Sequence, residues 1–211
     1  ESAAQRAVAL VREGSADVLM KGLVDTSVLL KAVLDKASGL RSGRVLSHVA
    51  LFAVPGYQRL LTVTDAAMNI APDVDAKEQI LLNAVEFLHA LGYGEPKVAV
   101  LAAKEKINPK MPATVDAAEL AERNRTGRIV GCLVAGPFAL DNAVSPEAAT
   151  TKGIDDPVAG YADVLLAPNI ETGNVLYKAL AFLAGAETAG VIVGAAAPIV
   201  LTSRADSELT K

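Results

Sequence analysis

Apolar residues along this chain follow two alternating rhythms. In residues 1–13, 26–36, 75–91, 114–125 and 173–183 they recur every three or four positions, which predicts amphipathic helices. Between these lie short, nearly unbroken apolar runs at 16–20, 44–54, 59–64, 97–103, 129–135, 162–166, 189–193 and 199–202, which predict strands. Gly14, Gly39 and Gly92 fall where three of the helices should end. Asp75-Ala-Lys-Glu78 has the spacing of a capping box, and Leu81, Ala84, Val85, Leu88 and Leu91 then share one face of the helix it opens. The runs 44–54 and 59–64 meet at Pro55-Gly56-Tyr57, a connection too short for a parallel crossover, so they should form an antiparallel hairpin. The expected fold class is α/β: an α/β/α sandwich on a mixed, mostly parallel sheet.

One spacing occurs twice. Ala16-Asp-Val-Leu19 leads to Val24-Asp-Thr26, and Ala162-Asp-Val-Leu165 leads at the same interval to Ile170-Glu-Thr172. Lys31-Ala32 and Lys178-Ala179 follow, the last match being out by one residue. Two buried strands with similar helix starts would look like this by chance. Two equivalent strand-loop-helix units facing one cleft would look the same.

Composition narrows the classes. The 211 residues are 52% hydrophobic and 21% charged, which fits an ordinary globular protein. The 20 basic residues are outnumbered by 24 acidic ones and aromatics are 4%, so a nucleic-acid partner is not expected. The lone Cys132 excludes an internal disulfide, and with two scattered histidines it offers no zinc spacing. No leader pattern or transmembrane-length apolar run is visible, so a cytoplasmic location without a membrane partner is expected. Neither a Gly-x-Ser-x-Gly elbow nor a Gly-x-Gly-x-x-Gly fingerprint occurs.

The residues that suggest chemistry cluster after strands. Ile199-Val-Leu201 runs straight into Ser203-Arg-Ala-Asp206, where a strand feeding a helix start would leave backbone N–H groups for an anion. Arg204 adds a fixed, forked charge, although a structural cap with a surface arginine fits equally well. Lys21, beside Gly22 and the hydroxyls of Thr26 and Ser27, could hold phosphate or be a solvated loop lysine. Asp65 could cap a turn or orient a substrate group. Lys110, in the Asn108-Pro-Lys-Met-Pro112 loop, could reach a ligand, or the prolines could simply stiffen the connection.

Taken together, the motifs resemble the phosphate acetyl/butyryltransferase family, and its butyryltransferase branch in particular. The resemblance is carried by Ala16-Asp-Val-Leu-Met-Lys-Gly22, Leu46-Ser-His-Val49, Thr64-Asp-Ala-Ala-Met-Asn-Ile70 and Asn108-Pro-Lys-Met-Pro-Ala-Thr-Val-Asp116. Gly136-Pro with Leu140-Asp-Asn142, Ala162-Asp-Val-Leu165, Gly173-Asn-Val-Leu-Tyr-Lys178 and Leu201-Thr-Ser-Arg-Ala-Asp-Ser207 follow in family order.

That resemblance implies a two-lobed, isocitrate dehydrogenase-like architecture with the active site between the lobes. Residues 1–50 and 192–211 would form the first lobe and 51–191 the second. It implies a homodimer, coenzyme A as a substrate and no metal. The reaction would convert acyl-CoA and phosphate to acyl phosphate and CoA in a ternary complex. Ser203 and Arg204 would stabilise developing charge, and a carboxylate would take the thiol proton, with Asp206 the candidate and Glu208 the nearest substitute. One lost oxyanion donor costs on the order of 3 kcal/mol of barrier, enough to make that pair central. Lys21, Thr26, Ser47, Asp65, Asn69, Lys110 and Asn174 would be substrate contacts.

Family members also carry a further N-terminal stretch and continue helically past the Ser-Arg-Ala-Asp-Ser run. The chain is therefore expected to be a trimmed form with a bared sheet edge and weak activity alone. Two other readings are a non-catalytic dimeric remnant of the fold and a phosphate acyltransferase that uses acyl carrier protein.

Overall fold

The structure, a computed structural model, describes residues 2–201. Ser203, Arg204 and Asp206 lie outside the described residues. In chain order the elements are α1 (Ala3–Arg12), β1 (Leu19–Met20), α2 (Thr26–Val33), β2 (Ser47–Ala53), β3 (Leu60–Thr64), α3 (Val74–Ala90), β4 (Lys97–Leu101) and α4 (Pro112–Arg125). They continue with β5 (Leu133–Phe138), α5 (Leu140–Val144), α6 (Pro146–Thr151), β6 (Val164–Leu166), α7 (Ile170–Lys178), β7 (Glu187–Val193) and β8 (Ile199–Val200). A π-helical turn over Ala179–Leu183 extends α7.

All the strands join one sheet in the order β1-β8-β7-β2-β3-β6-β4-β5. The pairs β1–β8, β3–β6, β6–β4 and β4–β5 are parallel. The pairs β8–β7, β7–β2 and β2–β3 are antiparallel. The expected α/β class with a mixed, mostly parallel sheet is what forms, including the hairpin, in which Ala50 faces Val63 and Ala53 faces Leu60. The positions 50 and 191 fall inside β2 and β7. These two strands pair continuously from Ser47 opposite Val193 to Ala53 opposite Glu187, so the sheet runs unbroken there.

Three apolar clusters hold the layers together. One face of the central sheet buries Val98, Val100, Val164 and Leu166 against Leu81, Val85 and Leu88 of α3 and Leu120 of α4. The opposite face buries Phe52, Val63, Ala99 and Leu165 against Ala143, Ala149 and Val158. At the β1–β8 end, Leu19, Ile192 and Ile199 meet Val8 of α1 and Leu29 and Val33 of α2. Leu81 and Leu88 are fully buried, each contributing about 2 kcal/mol from apolar burial.

Three of the boundaries that differ from the sequence expectation do so for a clear local reason. Helix α3 is capped by Asp73, whose carboxylate accepts from the Ala76 amide at 2.8 Å. Asp75 instead pairs with the buried Arg123 of α4 at 2.7 Å, and Arg123 also reaches Glu78 and Glu119, tying α3 to α4. The apolar run 129–135 becomes a strand only from Leu133. Before it, Gly131 adopts φ 80°, and the Asn124 side-chain amide donates to the Ile129 and Cys132 carbonyls while its oxygen accepts from Val134 N–H. Helix α7 starts three residues early, at Ile170, because the Asn169 side chain caps it, its Oδ1 accepting from the Thr172 amide at 2.9 Å.

Candidate active site

The turn after β3 organises the site. Asp65 is 4% exposed, and its carboxylate accepts from the backbone N–H groups of Ala67, Met68 and Asn69 at 2.9, 3.0 and 3.1 Å. The Asn69 side-chain amide donates to the same carboxylate at 2.6 Å and to the Leu46 carbonyl at 2.8 Å. Thr64 donates its hydroxyl to the His48 carbonyl at 2.8 Å, so the end of β3 and the start of β2 are locked together. Helix α7 is stitched onto this turn by Ile170 N–H to the Ile70 carbonyl at 3.0 Å and Asn174 Nδ2 to the Ala66 carbonyl at 3.2 Å. The contact is close enough that a Cβ on Gly173 would sit 2.2 Å from the Asp65 carbonyl oxygen.

Against this turn opens a cavity of ≈ 480 Å³. One wall is Lys21, Val24, Asp25, Thr26 and Leu30, from the end of β1 through α2. The opposite wall is Asn174, Tyr177 and Lys178 of α7, and Ala66, Ala67, Met68, His48 and Leu201 complete it. The two copies of the repeated spacing meet at this cavity, the first through Lys21, Thr26 and α2 and the second through α7 alone. The carboxyl ends of β1, β3, β6 and β8 lead into or beside it, where open α/β sheets hold ligands.

The structure brings Lys21, Thr26 and Asn174 into the lining and leaves four other candidates outside it. Asp65 and Asn69 lie behind the wall, where they bond to the turn rather than to the cavity. Ser47 is turned away from it: fully buried, its hydroxyl accepts from Asn83 Nδ2 of α3 at 2.9 Å. The cavity receives its neighbour His48 instead, because successive strand residues point to opposite faces. Lys110 is exposed on the loop before α4 and lines no cavity with this turn. The sequence reading missed His48, Met68, Tyr177 and Lys178 as lining residues. The repeated spacing had pointed at Lys178, whereas nothing in sequence marked His48. Its ring lies 5.8 Å from that of Tyr177, which meets Phe52 edge-on at 5.2 Å.

A larger, mainly apolar cavity of ≈ 970 Å³ lies on the other side of α7, lined by Val175, Leu176 and Ala179 among others. Its lysine, Lys77, is neutralised by Asp116 at 2.5 Å, so the cationic character belongs to the smaller cavity. Among the described residues, no group of three or more His, Cys, Asp or Glu is placed to hold a metal ion, and no helix is long and apolar enough to cross a membrane.

Cys132 is not part of the site. Burial first, and the Glu95 charge second, push its thiol up to about 11. Only the thiolate is nucleophilic, so in the native protein it should react with an aromatic disulfide at pH 8 at least about 100-fold more slowly than free cysteine. Stopped absorbance traces with and without denaturant check this, and prompt native labelling would contradict it.

Fold and cavity define an α/β protein with a cleft beside its sheet whose lining includes Lys21 and Lys178. The family model described as Phosphate acetyl/butaryl transferase matches residues 1–211. The chain belongs to that family, whose members are transferases. It is 59% identical over 211 residues to the probable phosphate butyryltransferase of Bacillus subtilis (strain 168), covering 100% of this chain and 71% of the relative. The crystal structure of a branched-chain phosphotransacylase from Enterococcus faecalis V583 superposes with a TM-score of 0.90 at 42% identity, covering 98% of this chain and 74% of that one. A 4-hydroxythreonine-4-phosphate dehydrogenase from Klebsiella pneumoniae shares the fold alone, with a TM-score of 0.53 at 17% identity over 93% of this chain and 59% of the other. The whole-chain family match argues against a fold-only remnant and against a carrier-protein acyltransferase.

Proposed function

We propose that this protein interconverts acyl-CoA plus inorganic phosphate with acyl phosphate plus CoA, acting on short, butyryl-like acyl groups. The observation that carries the reading is the lysine-bearing cleft between α2 and α7, lined by Leu201, with Ser203 and Arg204 next but one and next but two along the chain. In the direction of acyl phosphate synthesis, a phosphate oxygen attacks the thioester carbonyl and the sulfur leaves as thiolate, which is then protonated. In reverse, the CoA thiol must lose a proton, and with an ordinary pKa near about 8.5 it needs a base at neutral pH. Asp206 takes that part here, with Glu208 as its substitute. The Ser203 hydroxyl and Arg204 guanidinium stabilise the negative oxygen of the tetrahedral arrangement and the phosphate.

Lys21, Thr26 and Asn174 contact substrate. Asp65 and Asn69 act at one remove by holding the wall, Ser47 fixes β2, and Lys110 has no part in this scheme. The scheme needs no metal. It is that of a cytoplasmic homodimer with one lobe of 1–50 and 192–211 and another of 51–191, the two sharing one continuous sheet through β2 and β7. The separate apolar cluster at the β1–β8 end supports the lobes, and the exposed Val175, Phe182 and Leu183 support self-association.

The test is phosphate-dependent release of free thiol from butyryl-CoA. Ser203→Ala and Arg204→Ala should each lower kcat by about 100- to 1,000-fold. Full activity in both variants overturns the site assignment, and absence of phosphate-dependent release in the wild type overturns the function.

A further inference from the structure

We propose that the cleft divides its two phosphate-bearing substrates between two lysines: Lys21 receives inorganic phosphate or the phosphoryl group of acyl phosphate, and Lys178 receives the phosphates of coenzyme A. This division rests on the acyl-transfer reading above. Lys21 is 9% exposed, yet its Nζ has a single hydrogen bond among the described residues, to the Gly22 carbonyl at 3.2 Å. Among the described residues it makes no ion pair with a carboxylate. An ammonium carries three N–H donors, and burying one is costly unless its charge and donors are met. Among the described residues two donors are therefore left for a ligand, and the cavity that Lys21 lines is where one can sit.

Its backbone is held as well. Lys21 N–H donates to the Val200 carbonyl at 2.9 Å, continuing the β1–β8 pairing and fixing the root of the side chain at the floor of the cleft. Asp25 lies in the same wall and is exposed, whereas Lys21 is buried. A ligand that reaches a buried ammonium must be small enough to enter, and its charge-assisted hydrogen bonds must offset the water that both ions lose.

Lys178 sits differently. It is exposed at the last turn of α7, forms no ion pair among the described residues, and holds its Nζ 5.9 and 5.5 Å from the ring centroids of Tyr177 and Phe182. A rim lysine of this kind suits charges that stay hydrated. Coenzyme A fits that description, since its pyrophosphate and ribose phosphate are joined by a long flexible arm to the thiol that must enter the cleft.

Steady-state kinetics with each substrate varied in turn tests the division. Lys21→Met should raise KM for phosphate by roughly 10- to 100-fold and leave KM for butyryl-CoA within about twofold, since a charge-assisted hydrogen bond is lost. Lys178→Met should raise KM for butyryl-CoA by roughly 2- to 5-fold, the scale of an exposed charge pair, and leave KM for phosphate alone. Inorganic phosphate should also raise the melting temperature of the wild type, of Lys178→Met and of Lys21→Arg, but not of Lys21→Met. Reversed KM effects, joint movement of both constants in either variant, or retained phosphate stabilisation in Lys21→Met overturns the proposal. If the wild type shows no phosphate-dependent thiol release, the acyl-transfer reading fails. The melting shifts would then still decide whether Lys21 binds phosphate.

Discussion

Gly173→Ala is expected to lower the melting temperature by roughly 10 °C, the equivalent of about 3 kcal/mol in a chain of this size. The sign is informative, because alanine is the better helix former by up to about 1 kcal/mol and would stabilise an unobstructed helix. Here the added methyl group would meet the Asp65 carbonyl oxygen at 2.2 Å, with the Asp65 carbonyl carbon at 3.0 Å and Ala66 Cα at 3.1 Å. All three are backbone atoms, so no side chain can swing aside. Either α7 lifts away from the turn or the turn distorts, and both displace Asn174, Tyr177 and Lys178 from the cleft wall. Thermal unfolding by circular dichroism measures the cost, and an unchanged or higher melting temperature would show that the approach is looser than described.

Asp65→Asn should cost about 3 kcal/mol through a different mechanism. The carboxylate gathers four donors, three of them backbone N–H groups, and is itself almost wholly buried. An amide of the same shape has no charge and offers one oxygen, so its NH₂ end would confront donors and leave buried groups unsatisfied. Loss of stability and loss of activity should therefore appear together. If Asp65 instead served to orient substrate, Asp65→Asn would keep the wild-type melting temperature and change only the kinetic constants. The pair of measurements decides between the two uses that sequence left open for this residue.

Much of the fold was legible because its signals are local. The Pro55-Gly56-Tyr57 connection leaves no room for anything but a hairpin, and Gly92 stops α3 where a positive φ of 94° is needed. The helices α5 and α6 were missed because runs of five and six residues carry too little periodicity to register, and Ser145 serves as the end of one and the cap of the next. The offset of β5 has a long-range cause. An apolar run at 129–132 looks like strand, but the Asn124 side chain satisfies its carbonyls from the preceding helix and removes the need for a sheet partner.

The site was harder to read for a related reason. Residues 47–50 of β2 are all buried, so no polar–apolar alternation tells which face each side chain takes. Ser47 and His48 were thus indistinguishable, although the structure sends one to α3 and the other to the cleft. Asp65 and Asn69 belong to the right segment but satisfy each other, a pairing that appears only once the turn is closed.

Asn83 acquires a meaning from that same strand. Its side-chain amide bridges the Val45 carbonyl at 2.8 Å and the Ser47 hydroxyl at 2.9 Å, gripping β2 at its first residue. A slip of β2 by one residue would exchange the two faces along its whole length, handing the cleft a hydroxyl and driving an imidazole into the apolar layer beneath α3. With no alternation in the strand to forbid the slip, this amide acts as a register pin beside the Thr64–His48 and Asn69–Leu46 bonds, and the face that β2 turns to the cleft depends in part on a residue that never touches it.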